Sequence, residues 1–452
     1  MLVASRRQPG VRNIDASAVL ALAVAVFALG HTWNFSTKCF GRDFYQFWVV
    51  SREIGRPDLG NIYSEQWRRE TGERYWRLGH EPRASVHQIV ASDQTRVLDP
   101  TATPLLYTCF RIFPDEYKHA LLVQEIVLFA SGIIGIILLC SVLDYSLTAT
   151  LLSVAVLFGW GESYLSDVFC ANVNQVQMLA VAVLLWLELR PAHRLRDYFC
   201  GALLAFIVTF KPNLSGVALL LAVMWLADHQ TGKLKRHAIA FAISGAMILI
   251  ATSIEFGSAR CWLSWLGALR QLEWLCRSTG TGTYSLNSVL AMHTPWFVAR
   301  LSCWILLPIA LLTIYVTRAA SNRERPLRTI LVVALGCALP ILTTTIVWLH
   351  YYVLATPLLL VFLRPPTDGT GISSRARYVV AAILLPTLCA SQLTTEWLWL
   401  SDPVSVARRM AGASVALFLL GLFELWQISK PACGALSSQA TGEHAHVTQE
   451  IR

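Results

Sequence analysis

The chain has 452 residues, of which 55% are hydrophobic and only 14% charged, where a soluble domain carries about a quarter charged residues. Length alone would allow two or three soluble domains, but this composition excludes them and points to a helical membrane domain using most of the chain. The formal net charge of +9 comes from short basic clusters between apolar runs. That is the pattern of loop arginines that set membrane topology, so no nucleic-acid partner is expected.

In chain order, Arg6, Arg7 and Arg12 precede the first apolar run without a clean small-residue cleavage site, which predicts a retained first helix. Apolar segments follow over 16–33, 119–140, 146–163, 171–189, 198–210, 213–228, 237–256, 296–317, 329–347, 350–363, 378–395 and 408–428. Several approach the ~20 residues needed to cross a bilayer, and backbone in lipid must satisfy its own hydrogen bonds, so each is expected to be a helix.

Charge settles the two ambiguous stretches. Arg190, Arg194 and Arg196 precede 198–228, and Lys233, Lys235 and Arg236 follow it. If both clusters are cytoplasmic, the chain crosses twice around Lys211-Pro212. The same logic splits 329–363 near Leu349-His350, between Arg318, Arg323, Arg325, Arg328 and Arg364, Arg375, Arg377.

The expected fold is therefore all-α, a polytopic bundle of about 12 spans occupying residues 1–428. Both termini are expected in the cytoplasm of a cell with this chain in its inner (plasma) membrane. Residues 34–118 form a large extracytoplasmic first loop with amphipathic helices and a charge-dense segment Arg68–Arg96, and residues 429–452 form a polar, disordered cytoplasmic tail.

The 11 cysteines contain no CxxC and no metal-like spacing. Cys140, Cys200, Cys303, Cys337 and Cys389 lie in apolar runs, where cysteine behaves as a small hydrophobe. Cys39, Cys109, Cys170, Cys261 and Cys276 fall on the expected external side, with no reason in the sequence to pair any two.

Few residues are placed to do chemistry. Asp43 stands just before Phe44, Tyr45, Phe47 and Trp48. These aromatics read as an interfacial belt or an amphipathic helix on the membrane, and Asp43 as either a general base at the lipid boundary or a helix cap. Lys211, in TFKPNLSG, either snorkels to the interface or binds an anionic phosphate. His350, in WLHYYVLATP, is either an interfacial side chain or a phosphate contact. Asn172, Asn174, Gln175 and Gln177 put four amides into CANVNQVQMLA, to bind sugar hydroxyls or to join helices. Glu162 and Asp167 are nearby carboxylates with weak local signals. No Walker A loop, GxSxG, HExxH or external DxD is present, so neither a metal nor another cofactor has positive support.

The ordered stretches GRDFYQFW with NIYS, DPTATPLLYTCFRIFP, NVNQVQMLAVAVLL, FKPNLSGVALLLAV, TYSLNSVL and WLHYYVLATPLLL, over residues 41–363, resemble glycosyltransferase family 87. These are membrane enzymes of the GT-C class, mannosyltransferases among them, that use polyprenyl-phosphate sugars. The resemblance implies a GT-C-like fold and an inverting transfer of a hexosyl or pentosyl group. The donor would be a polyprenyl-phosphate sugar and the acceptor a lipid or glycan hydroxyl on the extracytoplasmic face. It implies Asp43 as general base, His350 and Lys211 as contacts to the donor phosphate, and Asn174, Gln175, Tyr45 and Asn287 as substrate-binding residues.

A transporter or flippase of a lipid-linked or small polar substrate also places rare polar residues at helix breaks, although the halves show no repeat of hydropathy and the first loop is unusually long. A non-catalytic scaffold would have little use for three ionisable residues on one face. The enzyme needs Asp43, Lys211 and His350 to converge on one external cavity, whereas the transporter needs a path open to both sides.

Overall fold

The computed structural model describes residues 16–56, 59–99, 101–279, 284–317, 325–364, 374–389 and 403–428. The expectation for the tail at 429–452 lies outside them, as do those for Arg6, Arg7, Arg12, Arg318 and Arg323. Among the described residues every regular element is helical.

The first helix, α1 (Ala16–Ser36), leads to the four short helices of the first loop: α2 (Arg42–Glu53), α3 (Glu65–Gly79), α4 (Val86–Gln94) and α5 (Pro104–Cys109). Then come α6 (Tyr117–Val142), α7 (Leu147–Trp160), α8 (Glu162–Cys170), α9 (Asn174–Glu188), α10 (Arg194–Phe210), α11 (Ser215–Ala227) and α12 (Thr231–Glu255). The remainder is α13 (Arg260–Thr279), α14 (Leu286–Ala291), α15 (Trp296–Trp304), α16 (Leu306–Val316), α17 (Arg325–Thr343), α18 (Thr356–Leu363), α19 (Ser374–Val379), α20 (Leu385–Cys389) and α21 (Pro403–Gln427).

Among the described residues, six helical stretches are long and apolar enough to cross a membrane: α1, α6, α12, Trp296–Val316, α17 and Ser405–Gln427. The pair α8 and α9, bent by 118°, makes a seventh if it counts as one span. Their outer faces carry the apolar groups that water would punish: on α12, Ile243, Met247, Ile250 and Ile254 are all exposed, as expected of a lipid-facing helix. The chain is thus a multi-pass α-helical membrane protein, with fewer full-length spans than the twelve apolar segments suggested. The difference lies at the helix breaks. Leu147–Trp160, Pro212–Ala227 and Leu349–Leu363 are apolar but short, and the breaks beside the last two open onto a shared cavity.

At the centre stands α17, whose residues Ile330 to Thr343 are all buried. It packs against α11, α16, α18 and α21. The crossing with α11 is close because two glycines meet: a Cβ on Gly336 would lie 2.6 Å from the Val217 Cα, the small-residue logic of membrane helix packing. Buried charges gather at the far end of α17. Arg328 binds Asp228 at 2.5 Å and the Ile314 carbonyl at 2.7 Å, while Glu188 holds His237 at 2.7 Å and pairs with Lys233. The basic clusters flanking α10–α11 and α17 are therefore partly neutralised inside the fold, as burial requires.

The first loop has its own core, which corrects the belt reading of its aromatics. Phe44, Tyr45 and Trp48 are buried rather than facing lipid. The Tyr45 and Trp48 rings lie 5.1 and 5.3 Å from the Tyr117 ring of α6, and Phe44 packs 5.6 Å from Phe110. This amphipathic helix buries its aromatic face against α5 and α6 instead of a bilayer. Of the cysteines expected on the external side, Cys39, Cys109, Cys170 and Cys261 are free thiols.

Entry into α2 depends on Gly41, which sits at φ 64° and whose added Cβ would meet Leu121 Cδ1 at 2.5 Å and both Ala171 Cβ and the Tyr117 hydroxyl at 3.3 Å. The left-handed backbone and the missing side chain are both required. Gly41→Ala is expected to destabilise the protein by roughly 1–3 kcal/mol, read as a lowered unfolding temperature in detergent. Gly30→Ala on α1, where nothing lies within 4 Å of the added carbon, is expected to leave that temperature unchanged or slightly raised.

Candidate functional site

The site is assembled by one helix acting as a rail. Tyr117 and Gln124 lie seven residues apart on α6, hence on one face. The Tyr117 hydroxyl donates to the Phe40 carbonyl at 2.5 Å and to that of Gly41 at 3.2 Å, fixing the entry to α2. Gln124 Nε2 donates to the carbonyls of Ala171 and Asn172 at 3.2 and 3.1 Å. Those carbonyls belong to the turn between α8 and α9, where Ala171 adopts a left-handed backbone at φ 49°. The α2 entry and this turn are thereby docked together, and Asp43 meets Asn172.

Asn172 is the hub. Its Nδ2 donates to Asp43 Oδ2 at 2.6 Å and lies 3.3 Å from His350 Nε2. Its Oδ1 accepts from Lys211 Nζ at 3.1 Å and from the Val173 amide at 2.7 Å. An ammonium only donates and a carboxylate only accepts, so this set fixes the orientation of the amide. His350 Nε2 is then the acceptor and Nδ1 carries the ring proton. Asp43 Oδ2 and His350 Nε2 are 3.9 Å apart.

Lys211 caps the end of α10 in extended conformation, where Pro212 prevents the helix from continuing. Its ammonium also binds Asn174 Oδ1 at 2.9 Å and sits 4.3 Å from the centre of the Tyr351 ring, a cation–π contact. Its carbonyl is held by Gln177 Nε2 at 3.3 Å, and Gln177 also donates to Asn213 at 2.8 Å.

The four side chains, Asp43, Asn172, Lys211 and His350, line a cavity of about 920 Å³. The first loop lines it with Arg42, Gln46 and Asp99 as well as Asp43. The bundle lines it with Leu219 of α11, Trp304 and Leu307 of α15 and α16, and Leu339 and Pro340 of α17, and also with the polar groups Ser215, Arg300 and Thr343 of the same helices. Asp43 is the second residue of α2, whose preceding cap is Gly41 without a side-chain bond. Its carboxylate is spent on Asn172 and the cavity rather than on capping. Burial holds the Asp43 carboxyl above the ordinary value of 3.8; the hydrogen bond from Asn172 and the charges of Lys211 and Arg42 pull it down, and Asp99 pushes it up.

The remaining sequence candidates divide. Asn174 binds Lys211 and donates to Asp167 Oδ1 at 2.7 Å, which makes it a positioning residue. Asp167 is buried and also accepts from the Gln175 amide at 3.2 Å, anchoring the start of α9. Tyr45, Gln175 and Asn287 do not line the cavity. The Tyr45 hydroxyl donates to the Tyr75 carbonyl at 3.2 Å inside the loop core. Gln175 is buried against Gly132 of α6, and Asn287 is buried on α14. Neither side-chain amide has a partner among the described residues. Substrate contact by these three is not what this geometry provides. Sequence reasoning passed over Tyr117, Gln124, Tyr351 and Gln46. Of these, only Gln46 carried a signal, being one helical turn from Asp43 on the same face.

Two groups bring possible metal ligands within 4.8 Å of one another: Asp43, Cys170 and His350, and Glu188, Cys200 and His237. In the first, the Asn172 amide directs its hydrogens at Asp43 and His350, and the Lys211 ammonium shares the same amide. In the second, Lys233 pairs with Glu188. Both donor sets are therefore already neutralised by protein N–H groups, which suits them poorly to a cation. No family model matches the chain, and no curated protein or solved structure does.

Removing either cation beside Asp43 withdraws a force that favours its ionised form. Lys211→Met and Arg42→Ala are each expected to move the Asp43 titration to higher pH, and Asp99→Asn to lower pH. Difference infrared spectroscopy of the protonated carboxyl band, with Asp43→Asn as the blank, reads the direction of each shift.

Proposed function

We propose that the protein is a membrane glycosyltransferase of the family 87 kind. It moves a hexosyl or pentosyl group from a polyprenyl-phosphate sugar to a lipid or glycan hydroxyl, with Asp43 as general base. The observation that carries this reading is the convergence of Asp43, Lys211 and His350 on one cavity that is also lined by apolar side chains of the bundle.

The unused valences supply the chemistry. An ionised Asp43 has Oδ1 to accept a proton, because Asn172 takes Oδ2. Lys211 has three N–H donors and gives two of them to Asn172 and Asn174, which leaves one. His350 keeps its Nδ1 proton. One free carboxylate oxygen and two N–H donors suit a reaction in which a hydroxyl loses its proton and an anion departs.

Asp43 Oδ1 takes the acceptor hydroxyl proton as that oxygen forms a bond to the anomeric carbon. The bond from that carbon to the phosphate oxygen breaks on the opposite face, and its electron pair leaves with the polyprenyl phosphate. The configuration inverts. A phosphate leaves without a general acid, so charge stabilisation by Lys211 and His350 is sufficient. The apolar side chains Leu219, Trp304, Leu307 and Leu339 would take the first isoprene units.

One observation weighs against a transporter. From Ile330 to Pro340, the helix that runs away from the cavity, α17, is packed on all sides and, among the described residues, lines no second opening. In this reading the bundle is GT-C-like, with some twelve helices of which several are broken spans. The cavity faces the extracytoplasmic side of the inner membrane, and both termini are cytoplasmic.

The test is transfer of labelled sugar from polyprenyl-phosphate mannose and polyprenyl-phosphate arabinose to a lipid-extract acceptor. Asp43→Asn is expected to lose ~10²–10⁴-fold in turnover with donor binding retained. Lys211→Met is expected to lose roughly 10²–10³-fold. The product anomer, read by NMR, is inverted relative to the donor. Full turnover in Asp43→Asn, or a retained configuration, would sink the reading.

A further inference from the structure

The first-loop side of the cavity holds more than the Asp43 network. Gln46 follows Asp43 by three residues on α2, so both face the same side, about one 5.4 Å helical turn apart. Gln46 Oε1 accepts from the backbone amide of Asp99 at 2.6 Å. Asp99 is thereby fixed on the same cavity as Asp43, near enough for the two carboxylates to repel.

Asp99 is also held from behind. Arg68 of α3 donates through Nε to the Leu98 carbonyl at 2.7 Å and through a terminal nitrogen to Asp99 Oδ1 at 3.0 Å. The Asp99 side chain remains 41% exposed and lines the cavity. Asp99 Oδ2 has no hydrogen bond among the described residues, and the two Gln46 Nε2 hydrogens are likewise uncommitted. The wall beside them is aromatic. Trp265 of α13 donates its indole N–H to the Thr101 carbonyl at 3.0 Å, and Trp265 and Phe47 both line the cavity.

We infer that Asp99, Gln46 and Trp265 form a subsite for a sugar ring of the acceptor, which makes the acceptor a glycan or glycolipid headgroup rather than an isolated hydroxyl. This rests on the transferase reading above for its link to catalysis. A carboxylate oxygen that accepts and an amide that donates match the two roles of neighbouring sugar hydroxyls. The aromatic wall matches the apolar C–H face of the ring. A lipid alcohol or a serine side chain has no second hydroxyl to occupy Asp99. The charge-dense segment Arg68–Arg96 gains a purpose here, since its first residue aims the Asp99 carboxylate.

The experiment uses the full chain in lipid nanodiscs, with labelled polyprenyl-phosphate mannose as donor and two acceptor probes: a methyl glycopyranoside and a simple alkanol. A hydrogen bond to a charged group contributes ~1.5–3 kcal/mol, about 10–100-fold in affinity. Asp99→Asn is expected to raise the glycoside KM by that factor, with kcat within about threefold and donor KM within about twofold. The alkanol KM stays unchanged, and Asp99→Glu restores much of the loss. Equal losses for glycoside and alkanol, or a donor KM that moves in parallel, would make Asp99 a structural residue and overturn the inference. Saturation-transfer NMR of the methyl glycopyranoside without donor separates the two readings. Asp99-dependent binding with no transfer from any lipid-linked sugar leaves the subsite standing and removes the transferase. Transfer to the alkanol with no glycoside binding to wild type removes the subsite alone.

Discussion

The site depends on one amide. Asn172, on the turn after α8, joins a carboxylate, an ammonium and an imidazole that arrive on three other stretches of chain: Asp43 on α2, Lys211 at the end of α10, and His350 before α18. A buried charge is tolerated when it is paired and hydrogen-bonded. Here the neutral amide stands between opposite charges, giving hydrogens to Asp43 and taking one from Lys211. Direct contact between the ammonium and the carboxylate would commit both groups to each other. By separating them, Asn172 leaves each with an unused valence pointing at chemistry rather than at its counter-ion.

The broken helices follow from that arrangement. A polar group cannot reach the interior of a lipid-embedded bundle from an uninterrupted apolar helix without leaving backbone or charge unsatisfied. Irregular backbone is tolerated where it lines a cavity. The breaks at Ala171–Val173, at Lys211–Leu214 and between α17 and α18 each contribute to the same cavity. The helices beside them are short because they stop there. Among the described residues, the apolar segments therefore yield six full-length spans, or seven with the bent pair. The missing length was given up to bring side chains together.

This explains what could be read from the sequence and what could not. An ionisable residue in apolar sequence is conspicuous because lipid penalises it, so Asp43, Lys211 and His350 were all visible, as were the breaks at the last two. Their convergence could only be hoped for, since it is set by packing between helices distant in sequence. Helical phase accounts for one error. Tyr45 is two residues beyond Asp43 and points about 200° away around α2, into the core with Tyr117, whereas Gln46 at three residues shares Asp43's face. Gln175 differs from Asn174 in the same way. It is turned onto Gly132, where glycine leaves space that no pattern in the sequence announces. Tyr117 and Gln124 do their positioning through backbone carbonyls of other segments, contacts that leave no local signature. The aromatic run in α2 was misread because a helix that buries its face in a loop core has the same pattern as one that buries it in a bilayer.

The two sides of the cavity come from different parts of the chain. One side is built from α11, α15, α16 and α17, helices of the bundle that pack on one another and supply apolar side chains together with Ser215, Arg300 and Thr343. The other side, apart from Lys211 and His350, is built from α2 and the segment 99–103, both in the first loop, with α13 closing over them through the Trp265–Thr101 bond. The aromatic core of the loop is shared with the bundle, through Tyr117, Leu121 and Leu128 of α6, so the loop is seated on the helices rather than free of them. Asp43 lies at the seam, carried by the loop but oriented by an asparagine of the bundle. In the proposed transfer, a base at that seam is held by both halves because the bond it would help to form joins a group bound by one to a group bound by the other.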